Sequence, residues 1–162
     1  MKKGFTLFEM IVAVGAFMVF MTIAMSGLLN LNDANKNSIN FSNIMDNARF
    51  ALEIMAKEIR TGTTYSSSGS STLTFQNALG QTAVYRLNNN RIEKSSDGGN
   101  SFLALTTSDV KVDNLKFVVS GAASGDGFQP KILIGIKASV SFKNKITEIN
   151  LQTLVSSRNP DS

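Results

Sequence analysis

The most prominent feature of the hydrophobic pattern is an apolar run near the start of the chain. Positions 10–29 carry no charged residue, and among them only Thr22 and Ser26 are polar. Twenty helical residues, the length of this run, rise about 30 Å at about 1.5 Å each, which matches the hydrocarbon core of a bilayer. The pattern therefore predicts the transmembrane half of an N-terminal helix, which we place at residues 5–31.

Residues 32–62 continue with helical periodicity but become amphipathic. Apolar residues recur at steps of three and four and form one face: Phe41, Ile44, Met45, Ala48, Leu52, Met55 and Ile59. Charged residues line the opposite face: Asp46, Arg49, Glu53, Lys57 and Arg60. The Asn-rich stretch 30–40 is the weakest helical part, and Gly62 is the expected helix end. The segment is predicted to pack its apolar face on a globular head.

Residues 63–162 change to a period of two, which is typical of strands. The Ser-rich stretch 64–72 and the stretch 121–130 are predicted loops, and the Asn residues at 88–90 predict a hairpin turn. Between them lie the predicted strands TLTFQ, TAVYRL, RIEKS, SFLAL, VKVDNLKFVVSG, KILIGIKASVSFK and KITEINLQTLVSS. The last two are expected to form one antiparallel hairpin around Asn144. One long helix followed only by strands predicts an α+β fold.

Composition narrows the chemistry of the chain. Its 162 residues include no Cys and no His, which excludes disulfides and nucleophile–His pairs and argues against zinc and haem sites. The net charge of +4 comes from scattered residues rather than from a basic stripe. Asp97 and Asn100, and separately Asp126, offer oxygen ligands for Ca²⁺, but without EF-hand spacing the segments are better interpreted as turns. We expect no enzyme activity, metal, cofactor or direct nucleic-acid partner.

The charged residues around the apolar run suggest its orientation. Lys2 and Lys3 precede the run, so the N-terminus is expected on the cytoplasmic side and the head outside. Glu9 lies just inside the apolar segment, where an unpaired carboxylate costs a few kcal/mol. A cleavable secretory signal, cut within AMSG at 24–27, is the alternative to a permanent anchor. Neither interpretation by itself gives Glu9 a role.

The stretch KKGFTLFEMIVAVGAF resembles the class III signal of type IV prepilins and pseudopilins: a short basic leader ending in Gly, then Phe, and Glu four residues later. The resemblance implies that residues 1–4 are a leader and that a prepilin peptidase cleaves between Gly4 and Phe5. It also implies N-methylation of the new amine on Phe5. Glu9 would then meet the terminal amine of a neighbouring subunit during assembly.

The segments NARFALEIMAKEIRTG and LQTLVSSRN, with the order of the strands, resemble J-type minor pseudopilins and W-type minor pilins. This resemblance implies a structural subunit of a pilus-like filament or a type II secretion pseudopilus, near the filament tip. Its partners would be other pilins, the prepilin peptidase, the assembly platform and the inner membrane. An extracytoplasmic binding protein, anchored or secreted, is the alternative, and a role in DNA uptake is a weaker third.

Overall fold

The computed structural model of the chain describes residues 4–123, 127–143 and 145–158. A single helix, α1 (Leu7–Arg60), is followed by eight strands within the described ranges. The chain divides into two compact units, with the boundary between Ile39 and Asn40. We call residues 4–39 the N-terminal unit and residues 40–158 the head. The α+β fold predicted from the sequence is confirmed.

The helix extends without a break through the Asn-rich stretch 30–40, which the sequence pattern marked as its weakest part. Lys57 and Arg60 lie in its last turn, where positive charge is favourable for the helix dipole. Gly62 follows the helix end, but its backbone does not adopt the left-handed conformation for which glycine is usually chosen there. A Cβ at position 62 would lie 2.5 Å from Cδ2 of Phe75, so close packing is what requires glycine there.

The strands of the head form two antiparallel sheets, a division that the strand pattern did not predict. The five-stranded sheet has the order β1-β2-β3-β4-β5, and the three-stranded sheet has the order β6-β7-β8. The strands are β1 (Thr63–Ser68), β2 (Thr72–Gln76), β3 (Thr82–Asn88), β4 (Arg91–Ser95), β5 (Leu103–Ala104), β6 (Lys111–Ser120), β7 (Lys131–Phe142) and β8 (Lys145–Ser156).

Two hairpins predicted from turn residues are confirmed. Asn89 and Asn90 have positive φ angles of 47° and 59°, the left-handed geometry that asparagine tolerates between paired strands. The β7–β8 hairpin pairs Lys131 with Ser156 and continues in register to Phe142 and Lys145. Asn144, the expected centre of that turn, lies outside the described residues.

One loop prediction is wrong, and one predicted strand is shorter than expected. The stretch predicted as a loop at 64–72 contains β1, an edge strand whose Ser residues are exposed while Tyr65 is buried. The Tyr65 hydroxyl lies at hydrogen-bond distance from the carbonyls of Ile59 and Gly62, which share its single proton, and its ring stacks on Phe75. The predicted strand SFLAL is reduced to two residues, because Ser101 is tied into the preceding turn by Asp97.

The core of the head lies between α1 and the inner faces of both sheets. Alternate residues of β7 face it, as the period-two pattern predicted: Ile132, Ile134, Ile136 and Ala138. The helix contributes Ile44, Ala48, Ala51, Met55 and Ile59. Most of the predicted apolar helix face is therefore confirmed, with Met45 and Leu52 partly buried against the core. Phe41 is the exception, since it is exposed.

A polar network fastens α1 to the five-stranded sheet. The hydroxyl of fully buried Tyr85 donates to Glu58 Oε2, and Lys94 Nζ lies 2.8 Å from Glu58 Oε1. Burial, reinforced by the hydrogen bond and charge of Glu58, raises the pKa of Tyr85 above its ordinary value. The phenol therefore stays protonated and keeps donating to Glu58 throughout the neutral range.

Candidate assembly site at the N-terminus

The residues named by the predicted processing signal lie at the start of the described chain. Gly4, Phe5 and Thr6 precede the first helical residue and have no regular secondary structure. Phe5 is 84% exposed, and nothing lies within 4 Å of a Cβ built at Gly4. The Gly4–Phe5 bond is therefore accessible from the surroundings. Lys2 and Lys3 lie outside the described residues.

Glu9 caps the helix through a reciprocal pair of hydrogen bonds with Thr6. The Thr6 amide donates to Glu9 Oε2 at 3.1 Å, and the Glu9 amide donates to Thr6 Oγ1 at 3.3 Å. This is the capping box expected for Thr-x-x-Glu at a helix start, which satisfies two amides that have no helical acceptor. The carboxylate thus has a structural role inside the chain, which our interpretation of the sequence missed although TLFE carries the signal.

Only one oxygen of the Glu9 carboxylate is used by the cap. The Thr6 hydroxyl also donates to Oε2, at 3.1 Å, whereas no hydrogen bond within the described ranges reaches Oε1. The Glu9 residue is exposed. A positively charged group of another molecule can therefore bind Glu9 Oε1 without breaking the hydrogen bonds between Thr6 and Glu9 Oε2.

The apolar residues that follow Glu9 have no protein partner within the N-terminal unit. This part of α1 is long and apolar enough to cross a membrane, and none of its most hydrophobic window is buried. Phe20, for example, is 77% exposed. The two hydroxyls in the run are satisfied locally, since Thr22 donates to the Met18 carbonyl and Ser26 to the Thr22 carbonyl, each at 2.9 Å. Such back-bonding removes the need for water, as a membrane segment requires.

The carboxylate of Asp97, in the turn after β4, accepts hydrogen bonds from the backbone of that same turn. Asp97 Oδ1 accepts from the amides of Asn100 and Ser101, each at 3.0 Å, and from the Ser95 hydroxyl at 2.6 Å. Hydrogen bonds from Ser101, followed by those from Ser95 and Asn100, hold the pKa of Asp97 well below its usual range. The arrangement fits the turn that the sequence favoured over a Ca²⁺ site. Asp126, the other acidic candidate, lies outside the described residues.

Within the described residues, no group of three or more His, Cys, Asp or Glu side chains converges. No family model, curated protein or solved structure matches this chain. The N-terminal unit offers an exposed apolar helix and an exposed carboxylate to other molecules.

Proposed function

We propose that this chain is a minor pilin or pseudopilin, a structural subunit of a pilus-like filament or a type II secretion pseudopilus. The observation that carries the proposal is the combination of three features in the N-terminal unit. Within the described residues this unit has an accessible Gly4–Phe5 bond, an apolar helix segment that stays exposed, and a first-turn carboxylate whose Oε1 accepts no hydrogen bond. A cleaved chain would present a new positive amine at Phe5, four residues before Glu9.

Assembly follows from the electrostatics of that pair. In an apolar environment, an isolated charged amine and an isolated carboxylate each carry an unfavourable desolvation free energy. Pairing the two charges between neighbouring subunits offsets both penalties. Apolar helices would pack in the filament core, with the heads outside. In this scheme the prepilin peptidase cleaves after Gly4, the Phe5 amine is N-methylated, and the chain waits in the inner membrane for the assembly platform. The head contacts other minor subunits, and its work is docking rather than catalysis.

One observation favours the second candidate, a single-pass anchored binding protein. The capping box gives Glu9 a purpose that needs no other subunit. A plain anchor could keep Glu9 for the cap alone. The two functions therefore differ in what they require of Glu9, namely its negative charge or only its acceptor oxygen.

Two variants separate these requirements. Glu9→Gln keeps an acceptor for the Thr6 amide, because glutamine also completes a capping box, but it removes the charge. Thr6→Ala keeps the charge and removes the hydroxyl half of the cap. In a host with an active prepilin peptidase, we expect Glu9→Gln to abolish recovery of the chain in sheared filaments, while Thr6→Ala reduces it by less than about tenfold. Unchanged incorporation of Glu9→Gln would contradict the proposal.

A further inference from the structure

The three-stranded sheet protects one of its edges and leaves the other open. The β6 edge carries a bulge between Val112 and Asn114, and two turns cover it. The Val112 amide donates to the Asn90 carbonyl at 2.9 Å, and the Phe117 amide donates to the Ser70 carbonyl at 2.7 Å. Bulges and covering loops are the usual protection against unwanted strand pairing.

The β8 edge has none of these protections. Strand β8 pairs with β7 over its whole length without a register shift, and it contains no proline. Among the residues described, no group outside β7 hydrogen-bonds to the backbone of 146–156. Two large apolar side chains on this strand are exposed, Ile146 at 65% and Leu154 at 62%. An open, regular edge of this kind is a template for another strand.

The backbone groups that face outward can be identified from the end of the hairpin. The Ser157 amide donates to the Pro130 carbonyl at 2.9 Å, which extends the β7–β8 ladder by one pair. In a regular antiparallel ladder the hydrogen-bonded residues alternate. Odd-numbered residues of β8 therefore bond to β7, and even-numbered residues from 146 to 156 direct their N–H and C=O groups away from it.

The sequence of this open strand is nearly the same in both directions. Residues 146–154 are ITEINLQTL, and side chains at equal distances from Asn150 belong to the same class. The matched positions are Ile146 with Leu154, Thr147 with Thr153, Glu148 with Gln152, and Ile149 with Leu151. Simple alternation of apolar and polar residues does not produce this order, because two polar residues are adjacent at 147–148 and again at 152–153.

We propose that β8 is a docking edge for a second copy of this chain, with the two β8 strands antiparallel about a two-fold axis at Asn150. In that register every residue meets its match on the other copy. Exposed Ile146 covers exposed Leu154 twice, and the Glu148 carboxylate faces the Gln152 carboxamide, a hydrogen-bond donor. Aliphatic and Thr–Thr pairs across antiparallel strands are favourable, and the two sheets join into one of six strands.

The same symmetry relates this dimer to filament assembly. A two-fold axis perpendicular to a sheet reverses the direction of any helix that lies on its face. The head portion of α1, residues 40–60, contributes its buried residues to the same core as the inner face of this sheet. The two copies would therefore carry these helix portions in opposite directions, unlike neighbours whose helices run side by side in a filament. The β8 dimer is a state outside the filament, and its existence does not depend on the proposed function.

Cysteine cross-linking tests the register directly, because the chain has no cysteine of its own. In a hydrogen-bonded antiparallel pair the Cα atoms are about 5.5 Å apart, within disulfide range. Full-length Asn150→Cys, oxidised in detergent micelles, is therefore expected to form a covalent dimer. Gln152→Cys is the matched control, since its two thiols would be separated by four residue positions, about 14 Å along the strands. We expect at least about tenfold less dimer from the control.

Two further results would complete the test. A mixture of Glu148→Cys and Gln152→Cys chains should cross-link to each other more than either does alone. Leu154→Lys, a change at an exposed position, should reduce the dimer fraction of the otherwise unmodified chain at least about fivefold in analytical ultracentrifugation, because it places a charge against Ile146. Equal cross-linking of Asn150→Cys and Gln152→Cys, or a monomeric chain at all concentrations, would overturn the proposal. Neither result involves cleavage or Glu9, so failure here is distinct from failure of the filament function.

Discussion

The N-terminal unit and the head use apolar residues in opposite ways. In the head, side chains such as Phe75 and Leu73 are removed from solvent by residues of the same chain. In the N-terminal unit, Phe5, Leu7 and Phe20 are all more than three-quarters exposed. The head therefore buries its apolar residues within itself, whereas the N-terminal unit leaves those of its membrane-length helix exposed. Identical substitutions should have different consequences in the two units.

The largest expected contrast comes from shortening a phenylalanine. Phe75→Ala removes a buried ring that stacks between Tyr65 and Tyr85, and should lower the free energy of unfolding of the head by about 3–5 kcal/mol. The matched variant Phe20→Ala should leave it unchanged. Both tyrosines of the chain lie in the head, so tyrosine fluorescence during chemical denaturation reports the head alone. Similar losses in the two variants would contradict the division into units.

Adding a methyl group to a glycine should give effects of opposite sign. Gly62→Ala places a Cβ against Phe75 and, at 2.9 Å, against the Gln76 carbonyl oxygen, and should destabilise the head by about 1–3 kcal/mol. Gly27→Ala meets nothing within 4 Å and removes a poor helix former, so it should favour the helix by about 0.5–1 kcal/mol. Denaturation followed by tyrosine fluorescence checks the first variant, and helical circular dichroism in micelles checks the second. A harmless Gly62→Ala would refute the close packing of the helix end.

Loss of the cap is a smaller effect, confined to the first turn of α1. Thr6→Ala removes the side-chain acceptor for the Glu9 amide, which should cost about 1 kcal/mol of local helix stability. Hydrogen exchange of the first-turn amides should accelerate, while exchange in the head stays the same. Thr6→Ser, which keeps the hydroxyl, is the control. Equal exchange in both variants would mean that the capping box does not form.

The smallest effect is a pH dependence of the head. Asp97 has its pKa lowered in the folded state by hydrogen bonds from Ser101, Ser95 and Asn100, so its contribution to stability is present above the ordinary carboxyl pKa. As the pH falls below that value towards the folded pKa, the unfolded state binds a proton first and the contribution is lost. Asp97→Asn should therefore reduce the decline of stability below about pH 4. Thermal denaturation of both proteins between pH 2 and pH 7 tests this, and parallel curves would contradict it.

Much of this fold is readable from local sequence. The transmembrane-length helix, the amphipathic face and the β7–β8 hairpin all follow from periodicity within single segments. The turn at Asn89 and Asn90 follows from residue type alone. In each case the information lies within a few residues of the element that it predicts, which is why these predictions are confirmed.

The remaining features depend on contacts between distant residues. Strand β1 was missed because its exposed Ser residues are typical of a loop, and only the contact of Tyr65 with Phe75 reveals a strand. Glu58 contacts Tyr85 and Lys94 across 27 and 36 positions, and neither spacing carries a local signal. Glu9 is the opposite case, because a signal in its immediate sequence neighbourhood was overlooked. Its charge suggested an external partner, while the neighbouring Thr6 already signalled a cap, and both roles fit one carboxylate.

The central claim is that the N-terminal unit is processed for assembly. Intact-mass and N-terminal mass spectrometry of the chain from membranes, with and without an active prepilin peptidase, tests it most directly. We predict a chain that begins at N-methylated Phe5 when the peptidase is active, and an unprocessed precursor when it is not. A chain that still begins at Met1 in the presence of the peptidase, or one cut near Ser26, would contradict the claim.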